Sequence, residues 1–450
     1  MEDLLDSMSQ IKMAKKLSLI EALGVSIAIL SPTISLSFNT VFAAKAAGVA
    51  APLSFLIGTG AILLVALCFV SFERRIQEKG SVYAYIRHTF GARYGYAAGW
   101  TLLLFYGALS SCSAALTGTE AMSVLDDAGI RHSSWWMACA LVVILVTTWL
   151  CWRDTKLAVH GMLLLEGASV LIILILVFRI LTHVPLSHSP FHPDPAAHGW
   201  SGIGYALVFT TLAFGGFEGA AAFSEETKNP ERNIPIALIA TILVSALFFS
   251  ISMYAQVVGF GPQNISQLAE SDSPLSTLAT RFLSQKYALL IDVAVMSSAF
   301  ACTMGTLAAA SRMLMALSLE SKRGWFGSVD RKHGTPSKAL LAISICSLAG
   351  TVIWGSQAGG ITYASDCASI GGLALIVVYL FVCFAELIAA FSARSTLRIV
   401  VSALSIPLLV WPLSNTVYPV HPFPDNLWPY VVGAWIVTGL VLGRNIRTSS

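Results

Sequence analysis

Apolar runs about 20 residues long recur from near Leu17 to near Leu442, joined by short polar stretches, and nothing else in the sequence constrains the fold as much. At about 1.5 Å rise per residue, a helix of that length matches the ~30 Å hydrocarbon layer of a bilayer. In lipid every backbone polar group must be satisfied within a helix or a closed barrel, and a barrel would read as shorter segments of alternating polarity. The chain is therefore read as an all-α integral membrane protein. Twelve helices are predicted, at about 17–44, 52–72, 94–122, 134–152, 158–181, 201–225, 234–259, 286–314, 337–355, 360–386, 396–414 and 426–443. Composition agrees, since 11% of residues are charged and mean hydropathy is +0.74, whereas about a quarter of a soluble domain is charged.

The basic residues test the count. With twelve spans, 22 of the 27 Lys and Arg fall on one side, and only Lys45, Arg131, Arg179, Arg281 and Lys286 fall on the other. The positive-inside rule then puts both tails, 1–16 and 444–450, in the cytoplasm of a cell membrane. The first span runs too long for a cleaved signal peptide and is read as part of the fold. The net charge of +3 reports orientation, and no compact basic domain points to nucleic acid. All eight cysteines lie in predicted spans without CxxC spacing. Neither disulfides, a metal nor a cofactor is expected.

Two spans are interrupted. Ser31, Pro32, Thr33 and Ser35 lie about fifteen residues into the first, and Gly215 and Gly216 lie equally deep in the sixth. Either break alone is ordinarily a packing kink. Five spans separate them, however, and an odd-numbered repeat must insert upside down relative to its copy. Helices 1–5 (about 17–181) and 6–10 (about 201–386) fit a five-plus-five inverted repeat spanning a 17–386 core, with helices 11 and 12 (396–443) appended. Paired breaks at the membrane midplane mark a transporter's binding site. A half-helix starting near Ile34 and Ser35 would offer N–H groups to a carboxylate, and carbonyls freed at Leu212, Ala213 and Phe214 would suit an ammonium group. An α-amino acid or related amine is the expected ligand, held by Ser31, Pro32, Thr33, Ile34, Ser35, Leu212, Ala213, Phe214, Gly215 and Gly216.

The stretch "FGGFEGAAAFSEETKNPERNIPIA" at 214–237 resembles the sixth-helix signature of the amino acid–polyamine–organocation permeases, of the bacterial amino acid permease type. "EKGSVYAYIRHTFGARYGYAAGW" at 78–100 and "AAASRMLMALS" at 308–318 are similar to two further motifs of that family. The resemblance covers nearly the whole chain and implies the inverted-repeat fold of the sodium-coupled leucine transporter, with Phe214 as a gate over the substrate. Departures are the Ser31 to Ser35 stretch, where most members carry a Gly-Ser-Gly type break, and "LESKRGWFGSVDRKHGTP" at 319–336, which lacks the usual loop wording. The fifth-helix lysine of proton-coupled relatives aligns near Ser169.

Two intramembrane acids are functional candidates by position. Glu166 lies one helical turn before Ser169 and is a candidate proton carrier. Glu218 follows the second break, and its expected role is structural or gating, with proton coupling as the alternative. Glu225, Glu226, Lys228, Asn229, Arg232 and Pro235 are expected to form a cytoplasmic clasp of exposed or half-exposed pairs. The coupling ion is read as a proton, with sodium held by Ser297, Ser298 and Thr303 as the alternative. Symport is the expected mode; exchange and a sensor built on a permease fold are the other readings. No catalytic constellation is found, so an enzyme is not expected.

Overall fold

The computed structural model describes residues 17–76, 82–127, 135–153, 155–321, 324–330, 333–418 and 423–446. The tail predicted at 1–16 and the last four residues lie outside that set. Apart from the short Ser356–Ala358 turn, seventeen α-helices carry the architecture among the described residues: α1 (Leu19–Leu30), α2 (Pro32–Ala47), α3 (Ala51–Glu73), α4 (Val82–Phe90), α5 (Ala92–Asp127), α6 (Trp135–Arg153), α7 (Thr155–His183), α8 (Trp200–Ala213), α9 (Gly219–Ala222), α10 (Pro230–Phe260), α11 (Ile265–Ala269), α12 (Pro274–Phe282), α13 (Gln285–Glu320), α14 (Ser337–Gly350), α15 (Gly360–Ser392), α16 (Thr396–Val417) and α17 (Trp428–Leu442). Nine helical stretches among the described residues are long and apolar enough to cross a membrane, and one of them, Leu19–Glu73, runs through α1, α2 and α3.

Local sequence explains several ends. Ser18 caps α1 in a reciprocal box, its Oγ accepting from Glu21 N while its own N–H donates to Glu21 Oε2 at 2.6 Å, which satisfies two of the donors a helix start leaves open. Asn229, at φ +46°, turns the chain into α10, and Pro230 occupies the first helical position, where its missing N–H costs nothing.

Long α5 lies between α13 and α15, α1 packs on α7, α10 and α13, and α2 packs on α8 and α13. α16 and α17 lean on α15 from outside. Buried Phe, Ile and Ala fill the middle, while Leu145, Phe178, Leu247 and Leu397 are exposed on outward faces, as a lipid-facing surface requires. The protein is therefore an all-helical, multi-span membrane protein whose inner helices enclose its broken ones.

Candidate functional site

The first break is a single residue. Ser31 takes φ +45° and ψ +73° between α1 and α2, a left-handed conformation unusual for a residue with a Cβ. Its hydroxyl donates to Ala28 O and, at 3.3 Å, to Ser298 O, which holds the hinge. The second half-helix begins at Pro32, two residues before the predicted start, because proline at the first helical position starts a helix rather than breaking it. Its N–H groups are already engaged: Thr33 N donates to Glu166 Oε1 at 3.0 Å, Ile34 N to Ser298 Oγ at 3.2 Å, and Ser35 N to Ser31 O at 3.0 Å. Side chains from α7 and α13 thus stand where an external carboxylate was expected.

The second break covers residues 214–218 between α8 and α9. Two of the three carbonyls expected to be freed are used inside the turn, Leu212 O by Gly215 N at 2.8 Å and Phe214 O by Phe217 N at 3.3 Å. Gly216 takes φ +102°, and a Cβ added there would stand 2.4 Å from Ile29 Cγ2 and 2.8 Å from Leu30 N. The two broken helices therefore touch at their breaks. Ser26 stitches them further, donating to Phe217 O at 2.8 Å and accepting from Ala220 N at 2.9 Å.

Beside this junction lies a narrow pocket. Ile29 and Leu30 of α1, Ile34, Ser35, Phe38 and Asn39 of α2, Leu212 and Gly215 form one side, with Leu109, Cys112, Ser113 and Leu116 of α5, Cys302 of α13 and Ala368 of α15 opposite. Asn39 is buried, and its Oδ1 has no hydrogen-bond partner among the described residues. Of the ten residues expected to hold a ligand, Ile34, Ser35, Leu212 and Gly215 line the cavity. Ser31, Pro32, Thr33, Ala213, Phe214 and Gly216 do not, because they are consumed in forming the hinges or face neighbouring helices. Phe214, expected as a gate over the ligand, packs edge-on against Phe249 at 5.1 Å, is fully buried and does not line the pocket.

Phe38, Ile34 and Leu116 are shared with a second pocket, whose lining includes Lys45, Glu120, Glu270 and Asp272. Phe38 stands between the two spaces, braced by Phe42 at 4.9 Å. Nothing in the sequence alone singled out Phe38 or Asn39. The available signal was helical spacing, since 34, 35, 38 and 39 fall on one face of a helix that starts at Pro32.

Glu218 is buried and held from three sides. Gly216 N donates to its Oε2 at 3.1 Å, Tyr379 OH to the same oxygen at 2.9 Å, and Tyr106 OH to Oε1 at 3.2 Å. It ties the second break to α5 and α15. Glu166 is equally buried, but its Oε2 has no partner among the described residues. Ser169 Oγ donates to Ala294 O at 3.0 Å and lies 3.0 Å from Ser297 Oγ, joining α7 to α13. Of the hydroxyls considered for sodium, Ser297 Oγ donates to Ala294 O at 2.9 Å, Thr303 Oγ1 to Ala299 O at 3.0 Å, and Ser298 Oγ accepts from Ile34 N.

The clasp differs from expectation in being buried. Arg312 donates to Glu226 Oε1 from Nε at 2.8 Å and Nη2 at 2.7 Å, with both side chains less than a tenth exposed. Its guanidinium lies over the Phe223 ring at 3.9 Å, and Leu17 joins the same knot, its N–H reaching Glu226 O and its carbonyl accepting from Lys228 N, both at 2.8 Å. Lys228, Asn229 and Arg232 are exposed, Pro235 is buried inside α10, and the Glu225 side chain lies outside what the structure describes.

Two broken helices thus meet beside a narrow pocket inside a bundle of apolar spans. Residues 24–411 match the family model described as amino acid permease, and the chain belongs to that family, within the amino acid–polyamine–organocation superfamily. It is 26% identical over 310 residues to the branched-chain amino acid permease BcaP of Bacillus subtilis (65% of each chain). It is 23% identical over 325 residues to the cationic amino acid transporter 3, mitochondrial, of Arabidopsis thaliana (67% of this chain, 51% of that one). It is 22% identical over 349 residues to the low-affinity putrescine importer PlaP of Escherichia coli (76% and 75%). The matched region thus spans just under two thirds of the first relative and about half of the second.

Proposed function

We propose that this permease is a secondary active transporter carrying an amino acid or a related amine across a cell membrane by alternating access. The reading includes twelve spans with both termini cytoplasmic, a five-plus-five inverted repeat related to that of the sodium-coupled leucine transporter, and proton symport. One observation carries it: the backbone breaks of α1–α2 and α8–α9 meet at Gly216 and Ile29 beside a pocket walled by α1, α2, α5, α13 and α15. No ionised side chain lines that pocket among the described residues, so in this reading a charged head is met by the unpartnered Asn39 Oδ1 and by α2 N–H groups released when Glu166 and Ser298 let go of them. The names of the relatives, which print branched-chain and cationic amino acids and putrescine, favour the same ligand range.

In this mechanism Phe38 and Leu116 form the outer closure and the Glu226–Arg312 knot the inner one, and transport opens them in turn. Glu218 keeps the second break in register throughout. Glu166 carries the coupling proton on its unpartnered Oε2, while its Oε1 accepts from Thr33 N and so senses the start of α2.

Uptake into proteoliposomes tests the reading. Accumulation of a labelled amino acid or amine on an inward proton gradient is the expected result. A strict sodium requirement would move coupling to the hydroxyls near Ser298, and a need for preloaded counter-substrate would make the protein an exchanger. Binding without accumulation would make it a sensor, and a panel of amino acids and amines that neither bind nor move would overturn the reading altogether.

A further inference from the structure

An open cleft lined by charged groups lies away from the central pocket, where α3 ends and α16 begins. Its floor is an ion-pair cluster: buried Glu386 accepts from Arg75, from Arg398 Nε at 2.5 Å and from Ser71 Oγ at 2.7 Å. Arg74 also lines the cleft, so three guanidinium groups face one carboxylate, an excess of two positive charges. One donor is left over in the cluster itself, since Arg398 Nη2 is buried without a hydrogen-bond partner among the described residues. The start of α16 adds to this field, because its cap residue Ser395 makes no side-chain bond to the open N–H groups of the first turn.

The walls are of a different character. Leu67, Val70, Leu397 and Val401 line them, and Leu67 and Leu397 are 44% and 75% exposed. Leu67 lies seven residues before Arg74 along α3, about 10 Å deeper at 1.5 Å per residue. Basic groups at the level of the helix ends, with an apolar slot leading inward from them, match a headgroup over an acyl chain. We propose that this cleft binds an anionic phospholipid, the phosphodiester facing Arg74 and Arg398 and one acyl chain lying along Leu67 and Leu397. Arginine is suited to this contact because its fork of N–H groups engages two phosphate oxygens at once, and basic pockets between spans on the cytoplasmic side are a recurrent setting for such headgroups. A free phosphate would leave the apolar walls uncovered. The inference is independent of the transported substrate.

Purified protein, stripped of lipid in detergent, is offered equal amounts of phosphatidylglycerol and phosphatidylcholine, and retained lipid is counted by native mass spectrometry. Preferential retention of phosphatidylglycerol is expected, falling about tenfold in Arg74→Glu and little in Arg74→Lys. Arg74 is exposed and makes no contact with Glu386, so its replacement leaves the ion-pair cluster intact, and a melting curve of each variant checks this. Equal retention of the two lipids, or unchanged selectivity in Arg74→Glu, would overturn the proposal. So would stabilisation by glycerol phosphate as large as by phosphatidylglycerol, which would assign the cleft to soluble anions. A protein dimer carrying no retained lipid would assign it to a second copy and overturn the proposal equally.

Discussion

Gly216 rests directly on Ile29, so close that a single added carbon would stand 2.4 Å from Ile29 Cγ2. The neighbouring glycine is less confined: a Cβ at Gly215 would meet Leu375 Cδ2 at 2.8 Å, Leu212 O at 2.9 Å and Phe105 Cζ at 3.0 Å, at an ordinary φ. Gly216→Ala must both abandon a favourable φ and push the α1 break away, with a backbone atom, Leu30 N, among its obstacles. It is expected to destabilise the protein by about 3 kcal/mol or more and to abolish substrate binding. Gly215→Ala is expected to fold with a smaller loss and weaker binding. Thermal unfolding and ligand binding of the two variants make the comparison; equal behaviour would show that the breaks do not depend on their contact.

Glu218 supplies acceptors to three donors, and Gln can supply only one oxygen. Glu218→Gln therefore sets an NH₂ group against either Tyr106 OH or the Gly216 N–H and Tyr379 OH pair. The expected cost is about 1–3 kcal/mol, with exchange and gradient-driven uptake falling together. Loss of gradient-driven uptake alone, with stability unchanged, would assign the coupling proton to Glu218.

For Glu166 the opposite pattern is expected. Gln keeps an oxygen for Thr33 N but cannot release and rebind a proton. Glu166→Gln should lose accumulation on a pH gradient and keep equilibrium exchange at equal pH on both sides. Preserved pH-driven accumulation in this variant would remove Glu166 from the coupling step.

The break positions were legible in the sequence because Pro and paired Gly are local signals that act wherever they occur, and the helix ends follow from the same punctuation. Contacts made across the bundle were not. The chain distance from Glu226 to Arg312, or from Thr33 to Glu166, says nothing about which charged group a helix turns inward. A surface-exposed clasp was the natural expectation for "SEETKNPER", yet Arg312 and Phe223 together bury Glu226. The surroundings of Phe214 and Phe38 were hidden for a related reason. The Phe214 ring packs against Phe249, while Phe38 lines both pockets, a facing that depends on where α2 begins.

Asn39 offers an unpaired buried side-chain acceptor on the pocket wall. If it takes a hydrogen bond from the substrate, Asn39→Ala should raise the KM for uptake by about tenfold, as expected for a buried bond to a charged donor, with little change in melting temperature because no internal bond at Oδ1 is lost. Asn39→Asp should restore binding of a cationic ligand in part. An unchanged KM in Asn39→Ala would place the ligand's head elsewhere.

Leu17 has a further consequence, in the order of synthesis. It is made about 210 residues before the groups it pairs with, Glu226 O and Lys228 N. Until those residues follow, that edge of α1 stands open, and the knot cannot form. A nascent permease truncated before Lys228 is thus expected to remain an unsealed intermediate, recognisable to quality control, and the knot around Arg312 closes only when the second half arrives to complete it.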